Sequence, residues 1–156
     1  GIGQAVSVRV SQARGSGETE KIRPIIRGAL AMTVFVMSIY AAIFLTLGNS
    51  IADCFVDDAA VRALTVQLLV LAGVFQVFDG LQIVSSGALR GFADTKVPFL
   101  IGIISYWALA LPTSWLAAFP LGYGARGIWF GLVLGLGFAA AAMGARVHKK
   151  IRSLET

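Results

Sequence analysis

Charge is scarce in this chain. Aspartate, glutamate, lysine and arginine make up 13% of its 156 residues, roughly half the share of an ordinary soluble domain. So few charges cannot cover a water-facing surface, and the apolar residues, 57% of the chain, fall in long blocks. Cysteine occurs once, as Cys54. A single thiol excludes an internal disulfide, and no Cys/His spacing suited to a metal is present. Histidine also occurs once, as His148, and reads as a solvated residue of a basic tail. Cys54 in a loop and His148 in the tail make no nucleophile–base pair. There is no HExxH, no P-loop and no pair of intramembrane carboxylates, so no enzyme is expected. Gly1 and Gly3 lack both a third glycine and a preceding strand, which leaves no basis for a dinucleotide loop. The net charge is +5, yet the basic residues sit in short loops between apolar blocks. No basic face with interleaved aromatics exists, which excludes nucleic acid as a partner. No cleavable signal is visible and the first residue is not Met, so the chain reads as a piece of something longer.

What is present is a run of apolar blocks. Residues 28–47, 63–89, 99–119 and 127–145 carry almost no charge, Asp79 being the exception. Each is close to the ~20 residues that a helix needs to cross a hydrocarbon layer. The expected fold is therefore an all-α membrane protein with four transmembrane helices. The glycine-rich start, 1–8, reads as the end of an earlier helix.

The connections carry the usual punctuation. Residues 9–27 read as a polar loop, with a flexible turn at Gly15, Ser16 and Gly17 and with Pro24 in the first turn of the next helix. Residues 48–62 read as a second loop, in which Asp57 or Asp58 caps the next helix and Asp58 pairs with Arg62 four residues on. Gly91 is expected to end the central helix in a left-handed conformation. Asp94 or Thr95 is expected to cap the third span. Pro112 should kink that span and leave the Ala108 carbonyl free. Thr33, Ser38 and Thr46 are expected to bond to their own helix backbone. Trp115 suits an interfacial belt. Gly127, Gly131 and Gly135 recur every four residues, a spacing that lets another helix backbone come close, so they read as packing residues.

Lysine and arginine are asymmetric between the loops. Four spans place residues 9–27, 90–96 and 146–152 on one side, with five, two and four basic residues; the other side holds only Arg62 and Arg126. That bias assigns the larger group, and the C-terminus, to the cytoplasm.

The feature that stands out is Asp79. At about 1.5 Å per residue it lies roughly 16 Å from Arg90, near the middle of a ~30 Å hydrocarbon layer. Ionised groups at that depth usually face a water-filled cavity or a partner. Gln76, Asp79, Gln82 and Ser86 are spaced three, three and four, which puts them on one helical face. Such a stripe offers carboxylate, amide and hydroxyl oxygens to a proton or to a hard cation such as sodium. Neutralising the carboxylate would bias one helix packing over another. The competing reading is that the stripe only joins helices through hydrogen bonds. Tyr40, Tyr106 and Trp107 are candidates for lining a substrate cavity, although packing is the plainer role for Tyr40 and Trp107.

The run from Phe75 through Asp79 and Gln82 to Gly91 is similar to the tenth helix of the multidrug and toxic compound extrusion (MATE) family, in its NorM-like branch. Asp94, Thr95, Lys96, Val97 and Pro98 resemble the loop that follows. Tyr106, Trp107, Pro112, Leu121, Gly122 and the stretch from Gly124 to Trp129 resemble its last two helices. Gly3, Ser7, Val8, Arg9, Val10 and the turn at Gly15 resemble the end of its eighth helix and the loop beyond. The resemblance implies part of a six-helix lobe, from the end of helix eight through helix twelve. It implies an antiporter of a bacterial inner membrane that expels small cationic, amphipathic drugs while protons or sodium ions move inward. Asp79 would belong to the cation site, with no cofactor beyond the coupling ion. The partners implied are the bilayer and the rest of the same transporter, including its N-terminal lobe and a seventh helix whose glutamate usually joins the site. Two other readings are a small four-span membrane protein with an assembly role and a lipid-linked saccharide flippase of the same superfamily.

Overall fold

The computed structural model describes residues 1–154. These form helices α1 (Ile2–Gly15), α2 (Ile22–Asp53), α3 (Ala59–Gly91), α4 (Lys96–Ile103), α5 (Leu111–Ala118) and α6 (Gly124–Arg152). A π-helical segment, Ile104–Ala110, joins α4 to α5 into one continuous span. No strand occurs among the described residues. Four helical units are long and apolar enough to cross a membrane: Thr19–Asp53, Ala59–Gly91, Lys96–Ala118 and Gly124–Arg152.

The helices overrun the charge-free blocks. The polar loop expected at 9–27 is instead mostly helix, because α1 runs on through Arg9 and Arg14. Val6, Val10 and Ala13 recur at helical spacing and are buried, which keeps α1 helical while Arg9 and Arg14 face outward. Only Ser16 to Glu18, with Gly17 at φ 77°, and a 3₁₀ turn at Thr19–Lys21 separate α1 from α2. At its far end α2 passes through Gly48 to Asp53. Gly48 lies in contact distance of Val66 and Leu69, and Ala52 is fully buried. Packing against α3 thus overrides the weak helix preference of glycine.

Two local expectations change. Asp58 is the N-cap of α3, its Oδ1 accepting from the amides of Ala60 and Val61 at 2.8 and 3.0 Å. With that carboxylate engaged, Arg62 pairs with Asp53 at 2.6 Å instead of with Asp58. Gly91 is not left-handed; Ala93 takes that role, at φ 59°. Gly91 serves close packing, since a Cβ there would lie 2.7 Å from Val10 Cβ and 2.8 Å from the Ser7 carbonyl.

Pro112 acts through the segment before it. The π-helical turn lets the Leu111 amide reach the Tyr106 carbonyl, five residues back. The Thr113 hydroxyl then donates to the Leu109 carbonyl at 2.5 Å. A wider turn before the proline and a side chain just after it thus pair the backbone carbonyls on either side of Ala108.

Thr46 donates to the Ala42 carbonyl at 2.7 Å. Thr33 does not follow suit: it is 2% exposed and its hydroxyl has no partner among the described residues.

Helix α3 is the centre of the packing. α2 lies along one side and α6 along the other, while α1 runs beside the last turns of α3, and α6 also carries the α4–α5 span. Gly127, Gly131 and Gly135 bring α6 against Ala117, Ser114 and Ala110. Ser114 Oγ donates across this seam to the Ile128 carbonyl at 2.9 Å. The apolar core joins Val6 and Val10 of α1, Ile22 and Ile26 of α2, Val84 and Leu89 of α3, and Met143 and Val147 of α6. It sits at the end of the bundle where the three basic segments meet.

Candidate functional site

The site is built on the face of α3 that α2 does not cover. Gly73 and Gly80 receive α2, where a Cβ would press on Ala41 in the first case and on Thr33 and Met37 in the second. One residue along a helix is about a 100° turn. Asp79 therefore points to a different side from Gly80, half-buried. Among the described residues no group donates a hydrogen bond to it, and the Tyr106 hydroxyl is near enough to feel its charge.

Below Asp79 the stripe runs into a cavity of about 450 Å³. Gln82, Ser86 and Arg90 form its α3 wall; Thr95, Phe99, Gly102, Ile103, Tyr106 and Trp107 form the opposite wall, and Met143 its floor. Four of the candidates read from the sequence are thereby brought together: Gln82, Ser86, Tyr106 and Trp107. The Tyr106 hydroxyl donates to Gln82 Oε1 at 3.4 Å, a long and weak bond that joins the two walls. Arg90 Nη1 donates to Ser86 Oγ at 3.5 Å. Asp79 and Gln76 continue the same stripe one and two turns beyond the cavity lining. Tyr40 is elsewhere, 48% exposed on α2. Tyr106 and Trp107 both belong to the π-helical segment, so the proline that follows them helps to shape this wall.

The loop below the cavity is held from two directions. Arg14 Nη1 donates to the Phe92 carbonyl at 2.7 Å. Asp94 Oδ2 accepts from Arg146 Nε at 3.0 Å, lies 2.9 Å from its Nη2, and sits 3.6 Å from Lys150 Nζ. The Asp94 side chain is only 9% exposed. Burial opposes its charge, but the hydrogen bond and charge of Arg146, the charge of Lys150 and the Val97 amide outweigh that and hold its carboxyl below the ordinary value. Sequence reasoning gave Asp94 only a capping role. Its signal was available: it is the one acid in the 90–96 connection, on the side where the basic residues gather. The place of Arg90 in the cavity wall depends on how α4 folds back, which no local pattern states. Gly73, Gly80 and Gly87, seven apart, are a further packing signal that went unread.

This arrangement can hold an amphipathic guest between a polar α3 wall and an aromatic one, and along the stripe it offers a carboxylate with two amides to a proton or an alkali cation.

Comparison with known proteins adds an independent line. The MatE family model matches residues 1–116. The Multidrug resistance protein NorM of Burkholderia vietnamiensis is 40% identical over 158 residues, covering 98% of this chain and 34% of that protein. The crystal structure of the eukaryotic MATE transporter AtDTX14 superposes with a TM-score of 0.86 at 25% identity, covering 97% of this chain and 35% of the other. An inward-facing multidrug resistance MATE family transporter of the MOP superfamily has the same fold, with a TM-score of 0.86 at 17% identity over 98% of this chain and 36% of that one. The chain thus spans about a third of the length of the relatives it matches. With three-quarters of its residues inside the family model, the chain belongs to the MATE family.

Proposed function

We propose that these residues form part of the second lobe of an ion-coupled multidrug exporter, in which Asp79 is the coupling group. The observation that carries the reading is the continuity of one α3 stripe. It runs from a mid-span carboxylate with no donor among the described residues into a cavity walled by Tyr106 and Trp107. An ionised carboxylate in a low-dielectric span is costly, so a proton or a cation is needed to neutralise it. Asp79, Gln76 and Gln82 supply hard oxygen donors, which suit H⁺ or Na⁺. A cationic, amphipathic drug meets the same requirement: its charge answers Asp79 while its apolar body lies against Trp107 and Ile103. Ion and drug then compete for one charge, and this competition is what couples inward ion movement to outward export.

In this reading the partners are the bilayer and the remaining helices of the same transporter. The basic end of the bundle, where Arg14, Arg146 and Lys150 gather, faces the cytoplasm of a bacterial inner membrane, with the C-terminus inside. Relatives that are multidrug resistance proteins support export of several drugs; the coupling and the cationic preference rest on Asp79.

The test is Asp79→Asn in the complete transporter that contains these residues. Export driven by an ion gradient should fall by at least about tenfold, with membrane abundance unchanged. Equal export by the mutant at equal abundance would remove Asp79 from coupling.

A further inference from the structure

One polar group in the seam between α2 and α3 breaks a pattern kept elsewhere in the chain. The hydroxyls of Thr46, Thr65, Ser105 and Thr113 each donate to the carbonyl four residues back, at 2.7, 2.9, 2.6 and 2.5 Å. The Thr33 hydroxyl is buried, yet it bonds neither to the Ala29 carbonyl nor to any other acceptor among the described residues. A buried hydroxyl left unpaired costs more than an ordinary hydrogen bond contributes. Packing keeps it so. The Thr33 methyl fills the notch over Gly80, where a Cβ would lie 2.5 Å from Thr33 Cγ2 and 3.0 Å from Met37 Cγ. Hydroxyl and methyl share one Cβ, so turning the hydroxyl toward Ala29 swings the methyl out of the notch. Farther along the seam the fit slackens. A Cβ at Gly73 would be 3.4 Å from Ala41 Cα, and one at Gly48 would be 3.8 Å from Val66 Cγ1. The tight point of the seam is thus the point that holds the unpaired hydroxyl. Both sides of it belong to this chain and the hydroxyl is already enclosed, so helices added around the bundle leave it as it is.

We propose that Thr33 and Gly80 form a release point at which α2 moves against α3 during the transport cycle. In the seated arrangement, the one in this structure, the methyl lies in the notch and the hydroxyl is unpaired. In the released arrangement α2 draws back from Gly80, the methyl leaves the notch, and the hydroxyl bonds to the Ala29 carbonyl as its four counterparts do to theirs. One arrangement has the close contact and the other has the hydrogen bond. Neither is therefore favoured by much, and a small bias on α3 exchanges them. Gly80 follows Asp79 in the chain, so the contact lies at the depth where a bound ion would act. The device deepens the transporter reading above and requires a protein that cycles between two shapes, but it does not require Asp79 to be the coupling group.

The experiment uses the complete natural protein, in detergent for thermal unfolding and in vesicles for export of a cationic dye. Thr33→Val keeps a methyl in the notch and replaces the hydroxyl by a second methyl of similar size. Its melting temperature should rise by about 2 °C or more, since a buried unpaired group is removed. Export should slow about fivefold or more with dye affinity unchanged, because the seated arrangement becomes harder to leave. Thr33→Ser keeps the hydroxyl and frees it to turn toward Ala29, so it should show neither the rise nor the slowing. Asp79→Asn should leave the rise caused by Thr33→Val in place even where export is lost, which separates the release point from ion coupling. A fall or no change in melting temperature with Thr33→Val would overturn the proposal, because the hydroxyl would then have a partner, a trapped water included. A rise with export unchanged would overturn it too, because the seam would be strained but would not move.

Discussion

Two faces of α3 carry opposite kinds of surface. On one, Gly80, Gly87 and Gly91 are pressed against other helices so closely that no methyl group fits: Gly87 would meet the Gly3 carbonyl, and Gly91 would meet Ser7 and Val10. On the other, Gln82, Ser86 and Arg90 line open volume, and Asp79 continues their stripe one turn further on. The same contrast recurs on the neighbouring span, where Gly131 abuts Ser114 and Gly102 abuts nothing. Stability and function are therefore divided between faces of the same helices, not between separate regions of the chain. A membrane interior gives little hydrophobic gain for bringing helices together, so close approach at small residues supplies the cohesion. A face left out of that packing is free to hold ions or drugs.

The largest expected effect tests this division directly. Gly131→Leu would drive its Cβ into the Ser114 backbone amide and hydroxyl. It should cost about 3 kcal/mol or more, as overpacking of a close seam does. Gly102→Leu adds the same side chain where there is room, and should change stability by less than about 0.5 kcal/mol. Thermal unfolding of the two variants in one detergent measures the difference. Similar losses in both would break the comparison, because the cavity would then be packed volume.

The packed face was the more legible of the two. The stripe at Gly127, Gly131 and Gly135 shows in the sequence because its spacing is local and helical, and the four spans show because long apolar blocks have no other stable home. Asp79 with Gln76, Gln82 and Ser86 is visible for the same reason. What the spacing cannot state is what lies opposite. Tyr106 meets Gln82 only because the π-helical turn before Pro112 aims it there. Asp94 meets Arg146 across 52 residues of sequence, and Arg14 meets Phe92 across 78. Helix ends differ from expectation at Arg9 and Gly48, because burial against α3 keeps polar or flexible residues helical where propensity alone would stop them; α3 does end at Gly91, but the left-handed residue is Ala93.

The next effect is electrostatic and lies where the packed face reaches the surface. Asp94→Asn keeps the shape of the loop but removes the charge that gathers Arg146 and Lys150. Hydrogen bonds to charged groups contribute about 1.5 kcal/mol or somewhat more, so a loss of that order is expected at neutral pH. Because the folded carboxyl titrates below its unfolded value, its contribution is fully present above roughly pH 4. It should fade as pH falls through the folded value. Unfolding of the wild type and the variant, followed from pH 7 to pH 3, should show a gap that narrows toward zero in acid. A constant gap would mean that the loop depends on shape and not on this charge.

The smallest effect on stability is expected at the hinge between the two faces. Tyr106→Phe removes a single hydroxyl whose bond to Gln82 is 3.4 Å long. A bond that long contributes about 0.5 kcal/mol or less, and Gln82 borders an open cavity where water can replace the lost donor. The melting temperature should hardly move. Export of a cationic dye by the complete transporter should change by less than about threefold, the factor that a free-energy change near 0.5 kcal/mol permits. A much larger loss of export at unchanged stability would show that the hydroxyl takes part in handling the charge of Asp79. The open face would then begin not at the α3 stripe but on the facing wall, with the π-helical turn as part of the coupling machinery.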